Sequence, residues 1–310
     1  MGKGPRRPPL LYSRGTRPSP PRATDMERAH HFVKSHGLGN DYLVIDPAAL
    51  PPDVALVPAT VRLLCDRHRG VGGDGVLEPT PPRGEAGTFG LRIWNPDGSQ
   101  AEKSGNGLRI FAKYLHEHGH TTATRFRIAT AGGLARVALD LDGATGRVAS
   151  VTVEMGAPDF LPVSRLTVDG AELAVTALAV GNPHCVVVVP DLAAVDLAQT
   201  GPLLERHPAF PERTNVQFAQ LLDRRRVRAL IWERGAGETL ASGSSACAVV
   251  AACHRLGLVD REVTVAMPGG DLQVRLDETD ILWLSGPVEE VCRGTLSPDL
   301  LARLAARSQV

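Results

Sequence analysis

Apolar and polar positions alternate with a period of two over Arg125–Ile128, Ala135–Leu141, Val151–Glu154, Val263–Val265 and Leu272–Leu276, which predicts strands. Two stretches break that rhythm. Leu108–His116 and Ala246–Leu256 are rich in helix formers, and each follows a turn of glycine and serine that reads as a helix start. Short apolar runs at Tyr42–Ile45 and Cys185–Val189 each follow a Gly-Asn pair. Strand runs with one helix per half predict an α+β fold in which each sheet wraps a central helix.

The two halves repeat each other. Ile93-Trp94 precedes Ser104-Gly105, and Ile231-Trp232 precedes Ser242-Gly243, with ten positions from Trp to Ser in both copies. Ser104 and Ser242 lie 138 positions apart, Gly132-Gly133 and Gly269-Gly270 lie 137 apart, and Gly39-Asn40 and Gly181-Asn182 lie 142 apart. Four markers in one order at nearly constant offset imply two pseudo-symmetric domains with a cleft between them. The expected boundaries are 30–147 and 148–288, with a C-terminal segment near 289–303 packing back on the first domain.

Composition narrows the class. The chain has 310 residues, of which 43% are hydrophobic, enough for two cores. Thirty-four Lys and Arg balance 34 Asp and Glu, so no global field recruits nucleic acid or anionic lipid. No apolar run is long enough to cross a membrane, and the expected location is cytoplasmic. Residues 1–29 stand apart: seven basic side chains and six prolines fall within the first 28, predicting a disordered extension. The five cysteines form no CxxC pair, which argues against a disulfide framework or a cysteine-based metal site. Cys65, Cys185, Cys247, Cys253 and Cys292 are expected to pack as small buried hydrophobes.

Each copy presents a strand, a glycine-rich loop, a serine and a helix N-terminus. Two such units facing one another aim two helix dipoles and several free backbone N–H groups at one point, which makes an anion site. Around these loops gather Asn40, Asn95, Ser104, Asn106, Asn182, His184, Asn215, Glu233, Arg234, Ser242 and Ser244. Many amides with one arginine and one glutamate suit a zwitterion, so an amino acid is the expected small-molecule partner. Opposed serines, one from each half, place a group on either face of a planar intermediate, the geometry of racemisation.

The segments Ser35-His-Gly-Leu-Gly-Asn-Asp-Tyr42, Asp66-Arg-His-Arg-Gly-Val-Gly-Gly-Asp74, Asn95-Pro-Asp-Gly-Ser99, Ser104-Gly-Asn-Gly107, Gly181-Asn-Pro-His-Cys185, Pro211-Glu-Arg-Thr-Asn215 and Glu233-Arg-Gly-Ala-Gly-Glu-Thr239 resemble the diaminopimelate epimerases, in order, from about Val33 onward. The resemblance implies a cofactor-independent isomerase of lysine and peptidoglycan biosynthesis that takes LL-diaminopimelate to the meso form. It implies that Asn40, Asn95, Asn182, Asn215 and Arg234 hold the non-reacting end of the substrate. Glu233 would accept an ammonium and assist proton transfer with His184, while the backbones of Gly105, Asn106, Gly243 and Ser244 clamp the reacting carboxylate. No metal is implied, and a homodimer is left open.

One departure matters. The family's two proton-carrying cysteines correspond to Ser104 and Ser242. A thiol near pKa ~8.5 ionises readily at a helix N-terminus, whereas a hydroxyl needs an adjacent base, for which His184 and Glu233 are the candidates. Three alternatives stay open: a natural serine-bearing isomerase, acting on diaminopimelate or another amino acid; an engineered double Cys→Ser variant; and a non-catalytic amino-acid binder.

Overall fold

A computed structural model describes residues 31–81, 85 and 87–309, so the expected disordered extension, residues 1–29, lies outside the described residues. The first half comprises β1 (Phe32–Gly37), β2 (Asn40–Val44), α1 (Pro58–Cys65), β3 (Val76–Thr80), β4 (Thr88–Trp94), β5 (Gln100–Ala101), α2 (Gly105–Glu117), β6 (Arg125–Thr130), β7 (Gly133–Leu141) and β8 (Val148–Gly156). The second comprises β9 (Asp159–Phe160), a separate hairpin of β10 (Arg165–Val168) and β11 (Ala171–Ala174), β12 (Thr176–Ala179), β13 (Pro183–Val188), α3 (Leu197–Glu205), β14 (Asn215–Asp223), β15 (Arg226–Glu233) and β16 (Gly237–Thr239). It continues through α4 (Gly243–Arg255), β17 (Glu262–Met267), β18 (Gly270–Leu276) and β19 (Leu282–Gly286). The chain ends with β20 (Glu289–Gly294) and α5 (Pro298–Ser308).

The strand order confirms an α+β fold built twice. Across the first half the hydrogen-bonded order is β20-β1-β2-β3-β4-β6-β7-β8. Across the second it is β9-β12-β13-β14-β15-β17-β18-β19. Corresponding junctions share their sense: β2–β3 and β13–β14 are parallel, as are β4–β6 and β15–β17, and the others are antiparallel. The halves join where β8 pairs antiparallel with β19. They also exchange edges. β9 follows β8 in sequence yet pairs in the second half, and β20 follows β19 yet pairs with β1 in the first. Helix α5 then packs on α1, with Leu296 and Leu304 joining Leu43, Ile45, Val61, Leu64 and Trp94 in one apolar cluster.

The sheet of each half encloses one helix. Leu108, Ile110, Phe111, Ala112 and Leu115 of α2 are buried, and every residue of α4 from Ser245 to Cys253 is buried. That stretch of α4 is made of Ser, Ala, Val and Cys, small enough for strands to close around all its sides. Each half also carries a second helix, α1 or α3, outside the sheet, where one helix per half was expected. The reason is local: α1 has eight residues and opens on Pro58, and α3 contains Gly201 and Pro202, so neither shows a long helical period. Cys65, Cys185, Cys247 and Cys253 are buried as expected; Cys292 is exposed, because it lies on the outward face of the edge strand β20. Among the described residues no helix is long and apolar enough to cross a membrane.

The two enclosed helices begin against each other. A Cβ placed on Gly243 would lie 3.4 Å from Gly105 Cα and 2.6 Å from Leu284 Cδ2; one placed on Gly105 would lie 2.8 Å from the same methyl. Leu284 sits on β19, the joining strand, so both glycines are required by one close approach. A Gly243→Ala variant is expected to lose about 1–3 kcal/mol of stability by overpacking, read as a lowered midpoint in urea unfolding. An unchanged midpoint would show that the junction has room to spare.

Candidate active site

Ser104 and Ser242 are the N-caps of α2 and α4, with nearly identical extended backbones (φ −139°, ψ 120° and φ −139°, ψ 125°). Because Gly105 and Gly243 touch, the first-turn N–H groups of both helices converge on one place, and the positive ends of two macrodipoles meet there. Beneath the junction lies Arg109, fully buried. Its Nη2 donates to Asn106 Oδ1 at 2.8 Å and its Nη1 to the Gly105 carbonyl at 3.3 Å. Burial lowers its pKa to about 10. A buried cation beside two helix N-termini favours an anion at their meeting point.

From Arg109 a chain of hydrogen bonds runs outward. Asn106 Nδ2 donates to Asn40 Oδ1 at 2.9 Å, and Asn40 Nδ2 donates to Asp74 Oδ2 at 3.0 Å. Asp74 also accepts from the Asp41 backbone N–H and from Arg67, which spans to Asp41. Lys34 completes the cluster on Asp41 at 2.9 Å. Burial acts to raise the Asp41 pKa, but the bonds from Arg67 and Lys34 outweigh it and hold the carboxyl below the usual range. Arg67 thus pairs with Asp41 and Asp74, while Asp66 accepts the N–H groups of His68 and Arg69. The Asn40 amide is held in one orientation by its bonds to Asn106 and Asp74.

The second half builds a different network on matching strands. His184 is fully buried; its Nε2 is 2.8 Å from Asn182 Oδ1 and its Nδ1 is 3.0 Å from Gln217 Nε2. Both ring nitrogens are thus engaged, one by each amide, and the tautomer follows from the orientation of the Gln217 side chain, whose Oε1 has no partner among the described residues. Burial pushes the His184 pKa down to about 3, keeping the ring neutral. Among the described residues no hydrogen bond joins His184 to Ser104 or Ser242. Asn215 Nδ2 donates to the Pro183 carbonyl, and its Oδ1 accepts the Arg234 backbone N–H at 3.0 Å. Buried Glu205 anchors the same loop, accepting from Trp232 Nε1 at 2.9 Å and from the Gly235 N–H at 3.1 Å. Trp94 is tied in the same way to buried Glu78 at 2.8 Å, which explains why Ile-Trp marks the repeat.

The two serines have unlike neighbours. Ser104 Oγ accepts the Gly107 N–H at 3.0 Å and lies 3.3 Å from the Tyr42 hydroxyl. Ser242 caps no N–H of its helix and is buried beside Glu233. Burial raises the Glu233 pKa; the Ser242 hydroxyl opposes that shift and the Asp74 charge adds to it. Burial likewise raises the Tyr42 pKa to about 12, against the Ser104 hydrogen bond. Cys247, within α4, is buried and has its thiol pushed up to about 12 by burial, so it supplies no thiolate in place of those the serines lack.

The structure therefore brings together Ser104, Gly105, Asn106 and Asn40 from the first half with Gly243 from the second. Ser242 joins Glu233, and Asn182 joins His184, with Asn215 beside the Arg234 backbone. Asn95 turns into its own loop, donating to Ser99 Oγ at 2.9 Å, and the exposed Arg234 guanidinium donates to the Glu212 carbonyl at 3.0 Å. Ser244, half-buried, is the second residue of α4, so its backbone N–H belongs to the convergent set. Sequence reasoning missed Tyr42, Asp74, Gln217 and Glu205. Tyr42 was within reach, since Gly39-Asn40-Asp41-Tyr42 and Gly181-Asn182-Pro183-His184 align and place Tyr42 opposite His184.

A doubled lobe with two enclosed helices meeting end to end defines a pseudo-symmetric, two-lobed fold that solved proteins share. A probable proline racemase from Agrobacterium radiobacter K84 superposes with a TM-score of 0.68 at 15% identity, covering 88% of this chain and 94% of that one. A PhzF-family phenazine biosynthesis protein from Bacillus anthracis superposes with a TM-score of 0.66 at 14% identity, covering 86% and 98%. In sequence, the diaminopimelate epimerase family model matches residues 32–161 and 176–291. The diaminopimelate epimerase 2 of Nostoc sp. is 42% identical over 284 residues, 87% of this chain and 97% of the relative. The diaminopimelate epimerase of Pelotomaculum thermopropionicum is 43% identical over 279 residues, 85% and 98%. The chain belongs to the diaminopimelate epimerase family, a family of isomerases.

The raised pKa of Glu233 has a consequence for folding. Above the unfolded value of 4.5 the unfolded chain releases a proton that the folded chain retains, so this group's contribution to stability falls as pH rises toward its folded pKa and stays reduced above it. A Glu233→Gln variant lacks that loss. Its stability relative to the parent should rise between acid and neutral pH, measured by chemical unfolding at several pH values; a difference independent of pH would show the carboxyl to be unshifted.

Proposed function

We propose that the protein epimerises LL-diaminopimelate to the meso form by proton transfer on opposite faces of the α-carbon, without a cofactor, in lysine and peptidoglycan biosynthesis. The observation that carries the reading is the contact of Gly105 with Gly243, which directs two helix N-termini, each with a serine at the N-cap position, at one point. The names of relatives at about two-fifths identity over nearly the whole chain support the substrate.

In this reading the α-carboxylate is clamped by the backbone N–H groups of Gly105, Asn106, Gly243 and Ser244, with Arg109 beneath them. That clamp acidifies the α-hydrogen by stabilising the charge that develops when it leaves. Glu233 accepts a proton through Ser242: burial makes it a better base than a free carboxylate, and the serine carries the proton the remaining distance. Ser104 serves the opposite face. Asn40, Asn95, Asn182, Asn215 and Arg234 hold the distal amino-acid end. His184 is a positioning residue for Asn182, because both its ring nitrogens are engaged, one by Asn182 and one by Gln217. The adjacency of Ser242 to a basic carboxyl favours an active isomerase over a cleft that only binds.

Incubation with LL-diaminopimelate in deuterated water should introduce deuterium at an α-carbon and build up the meso isomer. Glu233→Gln should slow this by about 10²–10⁴-fold, and restoring Cys at positions 104 and 242 together should accelerate it. Binding of diaminopimelate by calorimetry without exchange, in both the parent and the double cysteine variant, would leave an amino-acid binder.

A further inference from the structure

An arginine without a carboxylate lies where the halves meet. Arg109 of α2 is fully buried. Of its five N–H hydrogens it gives one to Asn106 Oδ1 and one to the Gly105 carbonyl, both neutral acceptors, and its Nε has no partner among the described residues. Along its hydrogen-bond chain the first carboxylate is Asp74, two amides away and already paired with Arg67. Its nearest ionisable neighbour in effect is the Cys247 thiol, which burial keeps protonated.

Glycines make room for this side chain. A Cβ on Gly37, at the end of β1, would lie 2.8 Å from Nη2; one on Gly286, at the end of β19, 3.6 Å from Nε; one on Gly243, at the start of α4, 3.6 Å from Nη1. Gly37 does not have the positive φ that would favour glycine, and the guanidinium is the nearest group it makes way for. The cation is thus wedged among strands from both halves and the N-termini of both enclosed helices. Two positive helix ends and a guanidinium share one place, and burying a charge is costly unless it is paired.

We propose that the missing counter-ion is the substrate: Arg109 is a positioning residue whose charge stays unpaired in the free protein and is neutralised by the α-carboxylate that the two helix N-termini hold. The inference rests on the epimerase reading above and deepens it, since it assigns recognition of the carboxylate to the charge of Arg109 and not to its hydrogen bonds alone. As the Cα–H bond breaks, its proton leaves to the base on that face and its electron pair spreads into the carboxylate. The carboxylate gains charge, so the cation stabilises the transition state more than the bound substrate.

Two substitutions separate charge from hydrogen bonding. Arg109→Lys keeps the charge and loses the planar fork; Arg109→Gln keeps an amide donor for Asn106 and loses the charge. In calorimetry with LL-diaminopimelate, the Kd of the Lys variant should stay within about 3-fold of the parent's, and that of the Gln variant should weaken by about 10–100-fold. For α-hydrogen exchange in deuterated water, kcat of the Gln variant should fall by about 10-fold or more, while the Lys variant keeps most of it. In urea the ligand-free Gln variant should unfold at a midpoint equal to or above the parent's, because it has shed an unpaired buried charge. Equal losses of binding in both variants, or tight binding by the Gln variant, would make Arg109 a packing support and overturn the proposal. A lowered ligand-free midpoint for the Gln variant would show the charge to be compensated within the chain and overturn it too. Binding that follows the charge, with no exchange in any of the three proteins, would remove the epimerase reading and leave Arg109 its carboxylate. Failure of the parent itself to bind would remove both.

Discussion

The contact between Gly105 and Gly243 is the constraint on which the rest of the molecule depends. Two helices rarely meet N-terminus to N-terminus inside a protein, because each end presents unpaired N–H groups and positive potential. Here each helix is enclosed by its own sheet, and the sheets are tied together through β8 and β19 and by the exchanged edges β9 and β20. Neither helix can retreat without unpacking its half. The shared stop is Leu284, whose methyl lies where a side chain on either glycine would have to go. Electrostatic repulsion that would open the junction is thereby held in place, and an anion entering it gains what the two ends lack.

Around that junction the halves share a backbone and divide the chemistry. The same register places Tyr42 in one half and His184 in the other, and their surroundings give them different tasks. His184, neutral, is held between Gln217 and Asn182; Tyr42 faces Ser104, a serine that already caps its helix. Likewise Asn95 and Glu233 follow the repeated Trp94 and Trp232, yet Asn95 donates to Ser99 in its own loop whereas half-buried Glu233 lies beside Ser242. Pseudo-symmetry therefore supplies two matching helix N-termini, and local substitution within the repeat makes their surroundings chemically distinct.

A large share of this was legible in the chain. The Ile-Trp and Ser-Gly markers gave the duplication, and the period-two runs gave β6, β7, β8, β17 and β18, because each is half-buried and alternates, but not the long β4, β14 and β15. The helices enclosed by the sheets were visible from their apolar length. The outer helices were not, since Pro58, Gly201 and Pro202 disguise short segments whose stability comes from docking on the sheet. The Asp74–Asn40–Asn106–Arg109 chain was also hidden: its members are polar, scattered over 70 positions, and read singly as loop residues.

What the sequence by itself determined is the repeat, the α+β class and the family, because these rest on local pattern and on identity at fixed spacing. What only the tertiary structure decided is which hydroxyl faces which partner. Hydrogen bonds between Tyr42 and Ser104 span 62 positions and between Gln217 and His184 span 33, so these partnerships arise from packing. Burial then sets the protonation of Tyr42, His184 and Glu233, and no residue's type fixes how deeply the fold will place it.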